Sequence, residues 1–336
     1  MERLLFIIAI SLILSASFPE IIVAQDASDR ANLHMKDVSI LSMVDTLEFY
    51  DESLTDSIMK VSGGSVSILA SESTFTNWAS GGQNSITGIG KLRFYSNKRK
   101  HKNYFGHTFN AALGYIGANG EFRKTEDRLD YYFKYSRYLK KKKYLSVMLS
   151  YKTQMLPGYN YPNDSIKISN FMAPGYLMLK VGFDYMPNRK IKIFVAPLSS
   201  KITIVADQNL ANNGAFGVVH GSFDALAQTF LTMGENLRYE FGGFIVLSCK
   251  GDITKMLRLE TELDLFSNYK NNPQNIDVDW QLEAKLKISK VFSVNFESHL
   301  VYDDDIKIEV DEEGNVLQGP KVQFKQFLGL GVSFSF

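Results

Sequence analysis

Cysteine is almost absent from this chain, since Cys249 is the only one among 336 residues. It cannot form an internal disulfide, and no second thiol is present to share a metal cluster. The formal net charge of +1 gives no sign of the concentrated basic surface that nucleic-acid binding requires. Beyond the first residues, no apolar run reaches the roughly 20 residues of a membrane-spanning helix. We therefore expect no cofactor, no metal and no nucleic-acid partner.

The first residues have the pattern of a secretory leader. Arg3 supplies a positive charge, residues 4–17 form a short apolar run, and Ala24 offers a cleavage point before Gln25. No cysteine follows this segment, so it is not a lipoprotein signal. The pattern predicts a cleavable signal peptide at residues 1–24 and export from the cytoplasm.

The next segment, residues 25–63, is polar, acidic and only weakly patterned. Such a composition predicts a poorly ordered N-terminal extension on the periplasmic side. We expect Gly63 and Gly64 to end this extension and the folded domain to cover residues 64–336.

Residues 276–288 alternate without a break between apolar and polar side chains. The apolar set is Ile276, Val278, Trp280, Leu282, Ala284, Leu286 and Ile288, and the polar set is Asp277, Asp279, Gln281, Glu283, Lys285 and Lys287. Because successive side chains of a strand point to opposite faces, this strand has one oily face and one charged face. Repetition of the pattern behind a secretory leader indicates an outer-membrane barrel, with lipid outside and polar groups inside.

The whole pattern predicts an all-β protein with a single antiparallel transmembrane barrel of about twelve strands. The expected strands are 65–76, 86–97, 103–116, 128–138, 144–155, 176–186, 191–198, 236–248, 256–267, 276–288, 291–302 and 324–336. Segments 65–76 and 191–198 carry the weakest pattern, so about ten strands is the alternative.

Short and long connections alternate between these strands. The short ones are rich in lysine and lie at 98–102, 140–143, 187–190, 250–255 and 289–290. The long ones lie at 78–85, 117–127, 156–175, 199–235, 268–275 and 303–322. Outer-membrane barrels have short periplasmic turns and longer extracellular loops, so we assign the lysine-rich turns to the periplasm. Loop 199–235 is long and apolar enough to pack, either into the lumen or as a surface lid.

The charged faces are expected to line the lumen, because a charge held against lipid at midplane costs roughly 2–4 kcal/mol. The predicted lumen charges are Arg258, Glu260, Glu262, Asp264, Asp279, Glu283, Lys285, Glu297 and His299. They are expected to form either a satisfied network that plugs a narrow barrel or a charged channel that selects a solute. Twelve strands lie between the filled barrels of about eight and the open ones of 16–18, so size leaves both readings open.

The last strand ends in Phe336 on its apolar face. This ending resembles the signal that the outer-membrane insertion machinery reads, and we expect that machinery to be a partner of the chain. The other interpretation is an ordinary hydrophobic strand end.

Several spaced motifs resemble one family. They are residues 77–85 (NWASGGQNS), 151–154 (YKTQ), 168–177 (ISNFMAPGYL), 265–269 (LFSNY), 276–280 (IDVDW) and 301–305 (VYDDD). The chain is similar, from about Ser65 to Phe336, to an uncharacterised outer-membrane β-barrel family of the Bacteroidetes, known as a domain of unknown function. This resemblance implies a barrel, an outer-membrane address and a Gram-negative host, and it brings no substrate or catalytic residue.

One local pattern indicates a different class of function. His220, Ser222 and Asn236 have a spacing similar to that of outer-membrane phospholipases, in which a serine nucleophile needs an adjacent base and an orienting partner. The rest of the chain does not resemble those enzymes.

The sequence therefore favours a non-enzymatic, porin-like outer-membrane barrel. It is expected to act as a narrow or gated channel, or as a structural subunit of an envelope assembly with a protein partner. Outer-membrane lipid and lipopolysaccharide are expected to surround it. A lipid hydrolase using His220 and Ser222 is the alternative.

Overall fold

The computed structural model describes residues 58–74, 84–118, 120–159, 165–188, 190–224, 229–303, 309–310, 316–318 and 322–336. The predicted signal peptide, most of the predicted extension and most of the 78–85 loop lie outside the described residues.

Strands make up most of the described chain. In chain order they are β1 (Ile58–Ser73), β2 (Ser85–Lys100), β3 (Asn103–Ala118), β4 (Glu121–Lys140), β5 (Lys143–Thr153), β6 (Gly158–Tyr159), β7 (Lys167–Ser169), β8 (Gly175–Tyr185), β9 (Ile191–Ile204), β10 (Ser222–Asp224), β11 (Thr229–Thr232), β12 (Leu237–Asp252), β13 (Leu257–Asn268), β14 (Ile276–Lys287), β15 (Phe292–Tyr302), β16 (Glu309–Val310), β17 (Val316–Gln318) and β18 (Gln323–Ser335). The helical residues are α1 (Gln208–Asn212) and a 3₁₀ turn at Ala215–Gly217. None of the helices in the described part of the chain has the length and apolarity needed to cross a membrane.

Twelve of these strands close into a barrel in the order β1-β2-β3-β4-β5-β8-β9-β12-β13-β14-β15-β18, with β18 paired to β1. Every pair in the ring is antiparallel, and the remaining strands form the short hairpins β6–β7, β10–β11 and β16–β17. The predicted all-β barrel is confirmed, with twelve strands rather than ten. Closure leaves no unpaired sheet edge among the barrel strands.

Both ends of the barrel sheet lie at the same end of the molecule, because the number of strands is even. We call it the terminal end; its connections are the short turns at 101–102, 141–142, 186–190, 253–256 and 288–291. We call the other end the loop end; its connections include the long segments 154–174, 205–236 and 303–322. Most of the predicted alternation is present.

The prediction of a long loop at 117–127 is wrong. β3 and β4 continue past the predicted strand ends and pair up to Ala118 and Glu121, which leaves a turn of two residues. Gly120 in this turn has φ 82°, a left-handed conformation that glycine adopts without steric cost. A register shift at Gly114 and Tyr115 interrupts the alternation, and this irregularity hid the strand continuation from the sequence pattern.

β1 begins at Ile58, earlier than the predicted domain start at residue 64. Gly63 and Gly64 lie inside this strand and pair with Tyr95 and Phe94, so they do not end the extension. A Cβ at Gly64 would lie 2.8 Å from the Phe336 ring, and one at Gly63 would lie 2.7 Å from the Tyr95 hydroxyl. Glycine is therefore needed here for the close approach of aromatic rings, not for a turn.

The two faces of the strands differ in burial in the way that the alternation predicts. On β13, Glu260, Glu262 and Asp264 are buried inside the barrel, while the intervening leucines are partly exposed outside. On β5, Ser146, Ser150 and Lys152 are likewise buried. The outer face carries exposed large apolar side chains on many strands, among them Ile68, Phe94, Phe105, Leu145, Leu179, Phe183, Val195, Leu247, Phe292, Leu330 and Phe334.

The long loop at the loop end is shorter than predicted, because β9 runs on to Ile204, and the loop covers 205–236. Val205, Leu210, Ala211 and Val218 form a buried apolar cluster with Ala173 of the preceding loop. The loop therefore packs on its neighbour, and none of its described residues lines either of the two barrel cavities described below.

Candidate functional site

The barrel interior holds the nine predicted lumen charges, at successive heights on β13, β14 and β15. Neighbouring strands place like charges side by side, since Asp264 pairs with Asp279, and Glu260 pairs with Glu283, which pairs with Glu297. Carboxylates this close repel one another unless cations or hydrogen-bond donors stand between them. The surrounding contacts therefore decide what this acidic wall can do.

A cavity toward the loop end contains the uppermost of these charges. We call it the loop-end cavity; it has about 70 Å³ and is lined by Asp264 and Asp279 together with Lys152, Lys201, Tyr176 and other residues. The carboxylate of Asp279 accepts two hydrogen bonds, from His299 Nε2 at 2.8 Å and from Gln281 Nε2 at 3.1 Å. Cations and carboxylates face each other across this small space.

A larger cavity of about 950 Å³ opens at the terminal end, and we call it the terminal cavity. Arg258, Glu260, Glu283, Lys285 and Glu297 line it, together with residues of the turns at 253–256 and 288–291. Arg258 Nε donates to Glu260 Oε1 at 2.6 Å. Five of the nine predicted charges therefore face this cavity.

A layer of polar side chains, which we call the partition, separates the two cavities. It consists of Glu262, Gln281, His299 and Lys325, which are successive partners across β13, β14, β15 and β18, and of Glu126 on β4, four strands from β18 around the ring. Lys325 Nζ donates to Glu126 Oε2 at 2.7 Å. Since β1, β2 and β3 lie between β18 and β4 in the ring, this ion pair crosses the lumen. The two cavities share no lining residue.

Other contacts fill the interior around the partition. Lys91 on β2 donates to Glu297 on β15 at 2.5 Å, across β1 and β18. Each of the twelve barrel strands contributes at least one buried inward side chain, such as Leu69, Ile89, Ala112, Asp130, Met148, Lys180, Phe194, Phe244, Glu262, Gln281, His299 and Gln323. The interior between the cavities is therefore packed, as the plugged interpretation of the sequence requires.

Two parts of this interior were missed by the sequence analysis. Asp184, fully buried, accepts hydrogen bonds from Lys134 Nζ at 2.7 Å and from Ser146, and lies 3.7 Å from Lys192 Nζ. An inward apolar cluster also fills the barrel, formed by Tyr132, Met148, Phe194, Ala196, Phe244, Val246 and Phe266. The charged cluster at Asp184 could have been found from the alternation of polar and apolar residues along β4, β8 and β9. The inward apolar cluster has no such sequence pattern, because its aromatic residues depart from the alternation of polar side chains inside and apolar side chains outside.

The predicted hydrolase residues do not form a catalytic group in the described structure. A ring nitrogen of His220 contacts the carbonyl oxygen of Gly221 at 2.9 Å, Ser222 Oγ accepts from Thr232 Oγ1 at 3.1 Å, and Asn236 donates to Val205 O at 2.7 Å. Each side chain is thus bonded to a structural partner. Among the hydrogen bonds of the described residues, none joins His220 to Ser222, which a nucleophile and its base would need.

Asp207 in the same loop is a structural acid. It caps α1 by accepting from the backbone N–H groups of Asn209 and Leu210, and it also accepts from Asn170 Nδ2 and Lys167 Nζ. Partial burial opposes its ionisation, but these hydrogen bonds outweigh that effect and hold the pKa of Asp207 below its ordinary value. It connects the two long loops of the loop end.

Phe336 closes the seam of the barrel. Its backbone exchanges hydrogen bonds with Gly64 at 2.8 and 3.0 Å, and its ring meets that of Phe94 at a centroid distance of 5.9 Å. A role as an insertion signal stays a prediction. Within the described residues, no group of three or more His, Cys, Asp or Glu side chains is arranged to hold a metal ion.

Comparison with sequence families gives one match to the inner part of the chain. Residues 70–159 match the model of a family described as a protein of unknown function (DUF3078). The chain is similar to that family over this segment, which is less than half of its length. The resemblance to an uncharacterised family is confirmed over these residues, while the bacterial phylum stays a prediction. A comparison with curated proteins returns no match.

Several solved structures are similar in outline to the barrel. The COG4313 outer membrane channel from Pseudomonas putida F1 is 12% identical, with 85% of this chain and 100% of that chain covered and a TM-score of 0.40. The translocator domain of the autotransporter NalP from Neisseria meningitidis is 8% identical, with 86% and 91% covered and a TM-score of 0.37. The CymD monoaromatic hydrocarbon channel is 9% identical, with 91% and 96% covered and a TM-score of 0.35. The fold assignment itself rests on the strand pairing of this chain.

Proposed function

We propose that this chain is a non-enzymatic outer-membrane β-barrel that acts as a narrow, gated channel. The partition carries this proposal. It divides a lumen that is charged on both sides, and it is held by the ion pair between Lys325 and Glu126, two side chains that can separate without breaking any strand pairing.

The outer face supports the membrane address. Ile68, Phe183 and Leu330 are exposed by 63%, 53% and 64%, and many other outward side chains are also large and apolar. Soluble proteins rarely expose a contiguous apolar surface of more than a few hundred Å², because water penalises it. Lipid removes that penalty, and a closed barrel satisfies the backbone hydrogen bonds that lipid cannot.

The lumen charges support passage of polar or charged solutes over apolar ones. Rings of charged side chains set the selectivity of membrane pores. Here the side chains of the partition would have to move before a solute could pass from the terminal cavity to the loop-end cavity. The closed arrangement is therefore the resting state in this proposal, and Lys325 and Glu126 form its gate.

Planar-bilayer recording of the purified protein tests this function. Lys325→Gln is expected to raise the open probability about tenfold, because loss of a charged hydrogen bond worth about 1.5 kcal/mol destabilises the closed state. Lys270→Gln, which removes an exposed lysine from the β13–β14 loop, is the matched control and is expected to leave gating unchanged.

If well-folded wild type and Lys325→Gln both stay silent in the bilayer, the channel proposal is wrong. The structural-subunit interpretation then predicts that a stoichiometric envelope protein is recovered with the chain after mild extraction.

A further inference from the structure

Five basic side chains lie on the outer face of the barrel at its terminal end. We call them the basic arc; all are exposed, and they are Lys60, Lys98, Lys100, Arg137 and Lys143. Alternation along each strand fixes the direction in which they point. Asn97 and Arg99 are buried inside the barrel, so Lys98 between them faces outward. The same alternation places the other four side chains on the outer face.

The basic arc is confined to one side of the barrel. It belongs to β1, β2, β4 and β5, which together with β3 are consecutive in the ring. At roughly 4.8 Å per strand, it covers about 19 Å of the circumference. The other seven barrel strands, all of them described, have uncharged outward side chains at the terminal end, such as Tyr185, Ile191, Leu257, Leu286 and Phe334.

Neighbouring cations of the basic arc repel one another. Lys60 and Lys98 are direct partners on the ladder between β1 and β2. The Cβ atoms of such partners are about 4.5–5.5 Å apart, and like charges there are destabilising. Lys100 and Arg137 are both partners of Asn103, so a single residue separates them. Among the ion pairs of the described residues, none involves the basic arc. An anion held between these side chains would remove the repulsion.

A row of neutral polar side chains lies next to the basic arc, two residues closer to the middle of the barrel. Ser62 is the partner of Ser96, and Ser96 is the partner of His107. All three are on the outer face, and they continue the polar surface of the lysines.

The next row on the outer face is aromatic, with Phe94 and Phe109 as partners. From Lys98 to Phe94, over about 14 Å at roughly 3.4 Å per residue, the surface therefore changes from cationic to neutral polar to apolar. A phospholipid has the same order of groups in its phosphate, its glycerol esters and its acyl chains. On β9, by contrast, the outward side chains of Ile191, Ile193 and Val195 are apolar throughout.

We propose that the basic arc binds the headgroups of anionic phospholipids, with phosphodiester oxygens between the lysine ammonium groups and acyl chains along Phe94 and Phe109. The inference rests on the membrane address proposed above, and it holds whether or not the barrel conducts. A zwitterionic headgroup is disfavoured, because its own cation is repelled by the lysines. Lipid is favoured over a protein partner, because the arc borders the apolar outer face directly, at the height where headgroups lie.

A tryptophan placed inside the basic arc tests this binding. Phe105 is the outward partner of Lys98, and Phe105→Trp in a Trp78→Phe and Trp280→Phe background gives the chain a single indole there. Its quenching is measured in vesicles that contain either brominated phosphatidylglycerol, which is anionic, or brominated phosphatidylcholine, which is zwitterionic. Phosphatidylglycerol is expected to associate about fivefold more strongly, because one lysine near an anionic lipid contributes about that factor.

Ile193→Trp in the same background is the matched control position. Ile193 is the third residue of β9, as Phe105 is the third residue of β3, but it lies outside the basic arc. We expect no preference for the anionic lipid at this indole. The same preference at both positions would overturn the proposal, because it would show a general attraction of the protein for anionic lipid.

Charge removal identifies the residues responsible. Lys60→Gln with Lys98→Gln is expected to abolish the preference at the Phe105→Trp indole. Lys255→Gln with Lys290→Gln removes the same charge from exposed turns of the terminal end outside the arc, and is expected to leave the preference unchanged. Equal effects of the two double variants contradict a site at the basic arc. Loss of the preference when phosphate replaces chloride at constant ionic strength would assign the arc to free anions and overturn the lipid proposal.

Quenching by brominated phosphatidylcholine separates failure of this site from failure of the membrane address. If this lipid quenches both indoles and neither prefers phosphatidylglycerol, the membrane address is supported and the headgroup site is wrong. If neither lipid quenches either indole, the membrane address is wrong and the site with it.

Native mass spectrometry gives a second measurement that needs no introduced tryptophan. The wild-type chain, released from nonionic detergent containing equal amounts of the two unbrominated lipids, is expected to retain more phosphatidylglycerol than phosphatidylcholine. Lys60→Gln with Lys98→Gln is expected to lose that excess. Equal retention of the two lipids by the wild type would overturn the proposal.

Discussion

At the residue scale, burial and ion pairing explain why charges that are unusual in a packed interior are tolerated here. Lys134, Asp184 and Lys192 lie inside the barrel, and both Asp184 and Lys192 are fully buried. A buried charge is stable only when partners compensate for the lost water. The carboxylate of Asp184 provides that compensation for two ammonium groups, so loss of its charge would affect both lysines.

Replacement of Asp184 by asparagine is therefore expected to destabilise the barrel strongly. Two buried lysines would lose their compensating charge, at a cost of about 3–5 kcal/mol. Chemical unfolding in detergent micelles, followed by the loss of β-sheet circular dichroism, measures the change. Asp252→Asn is the control, because Asp252 is exposed at the end of β12, and about 0.5 kcal/mol or less is expected. Equal unfolding midpoints for the two variants would mean that Asp184 does not compensate Lys134 and Lys192.

At the element scale, strand pairing and turn geometry decide where each connection lies. The sequence pattern located the centre of all twelve strands, because lipid-side and lumen-side residues alternate at a period of two. It placed strand ends less well, as at 117–127 and at Ser199, because pairing continues for as long as a partner strand is available, whatever the local composition. Local composition also fails to indicate the geometry of the turn between β4 and β5, where lysines occupy positions that suit other residues.

Lys141 and Lys142 join β4 to β5 with φ values of 47° and 63°. Two positive φ angles in a two-residue hairpin indicate a type I′ turn, which favours Asn-Gly. Lys141→Asn with Lys142→Gly is expected to stabilise the barrel by about 1–2 kcal/mol, because a left-handed conformation costs other residues about that much. Thermal unfolding in micelles measures the gain.

Lys255→Gly is the matched control for this turn. Lys255 lies in another short turn and is not among the described residues with positive φ, so glycine there only adds freedom to the unfolded chain and should lower stability by about 0.5–1 kcal/mol. A gain of similar size in both proteins would contradict the argument from φ.

At the scale of the whole molecule, closure of the sheet separates an apolar outside from a charged and packed inside. The same alternation that places Glu262 and Asp264 in the interior places Leu263 and Trp280 on the outer face, where they are direct partners on β13 and β14. Trp280 is also the partner of Leu300 on β15. The fluorescence of Trp280 can therefore report whether the outer face contacts water or lipid.

The Trp78→Phe variant leaves Trp280 as the sole tryptophan of the chain. In vesicles whose acyl chains carry bromine, a heavy-atom quencher, its fluorescence is expected to fall well below that in ordinary vesicles, because an outward side chain near the middle of β14 would contact the acyl chains. A lumen-facing indole would be shielded by the sheet. Equal emission in the two kinds of vesicle would refute the membrane address of the outer face.

Sequence alone determined the barrel, the approximate number of its strands and the face on which the charges of β13, β14 and β15 lie, because all three follow from a period of two and from the cost of charge in lipid. It could not determine how the lumen is filled. The pairing of Lys325 with Glu126 joins residues 199 positions apart, and no local pattern relates them. The inward aromatic cluster and the packing of loop 205–236 on Ala173 likewise depend on ring closure and strand stagger. Whether the charged wall at Asp279 and Glu283 faces one open channel or two separated cavities was therefore decided only by the tertiary structure, since it depends on which side chains meet across the barrel.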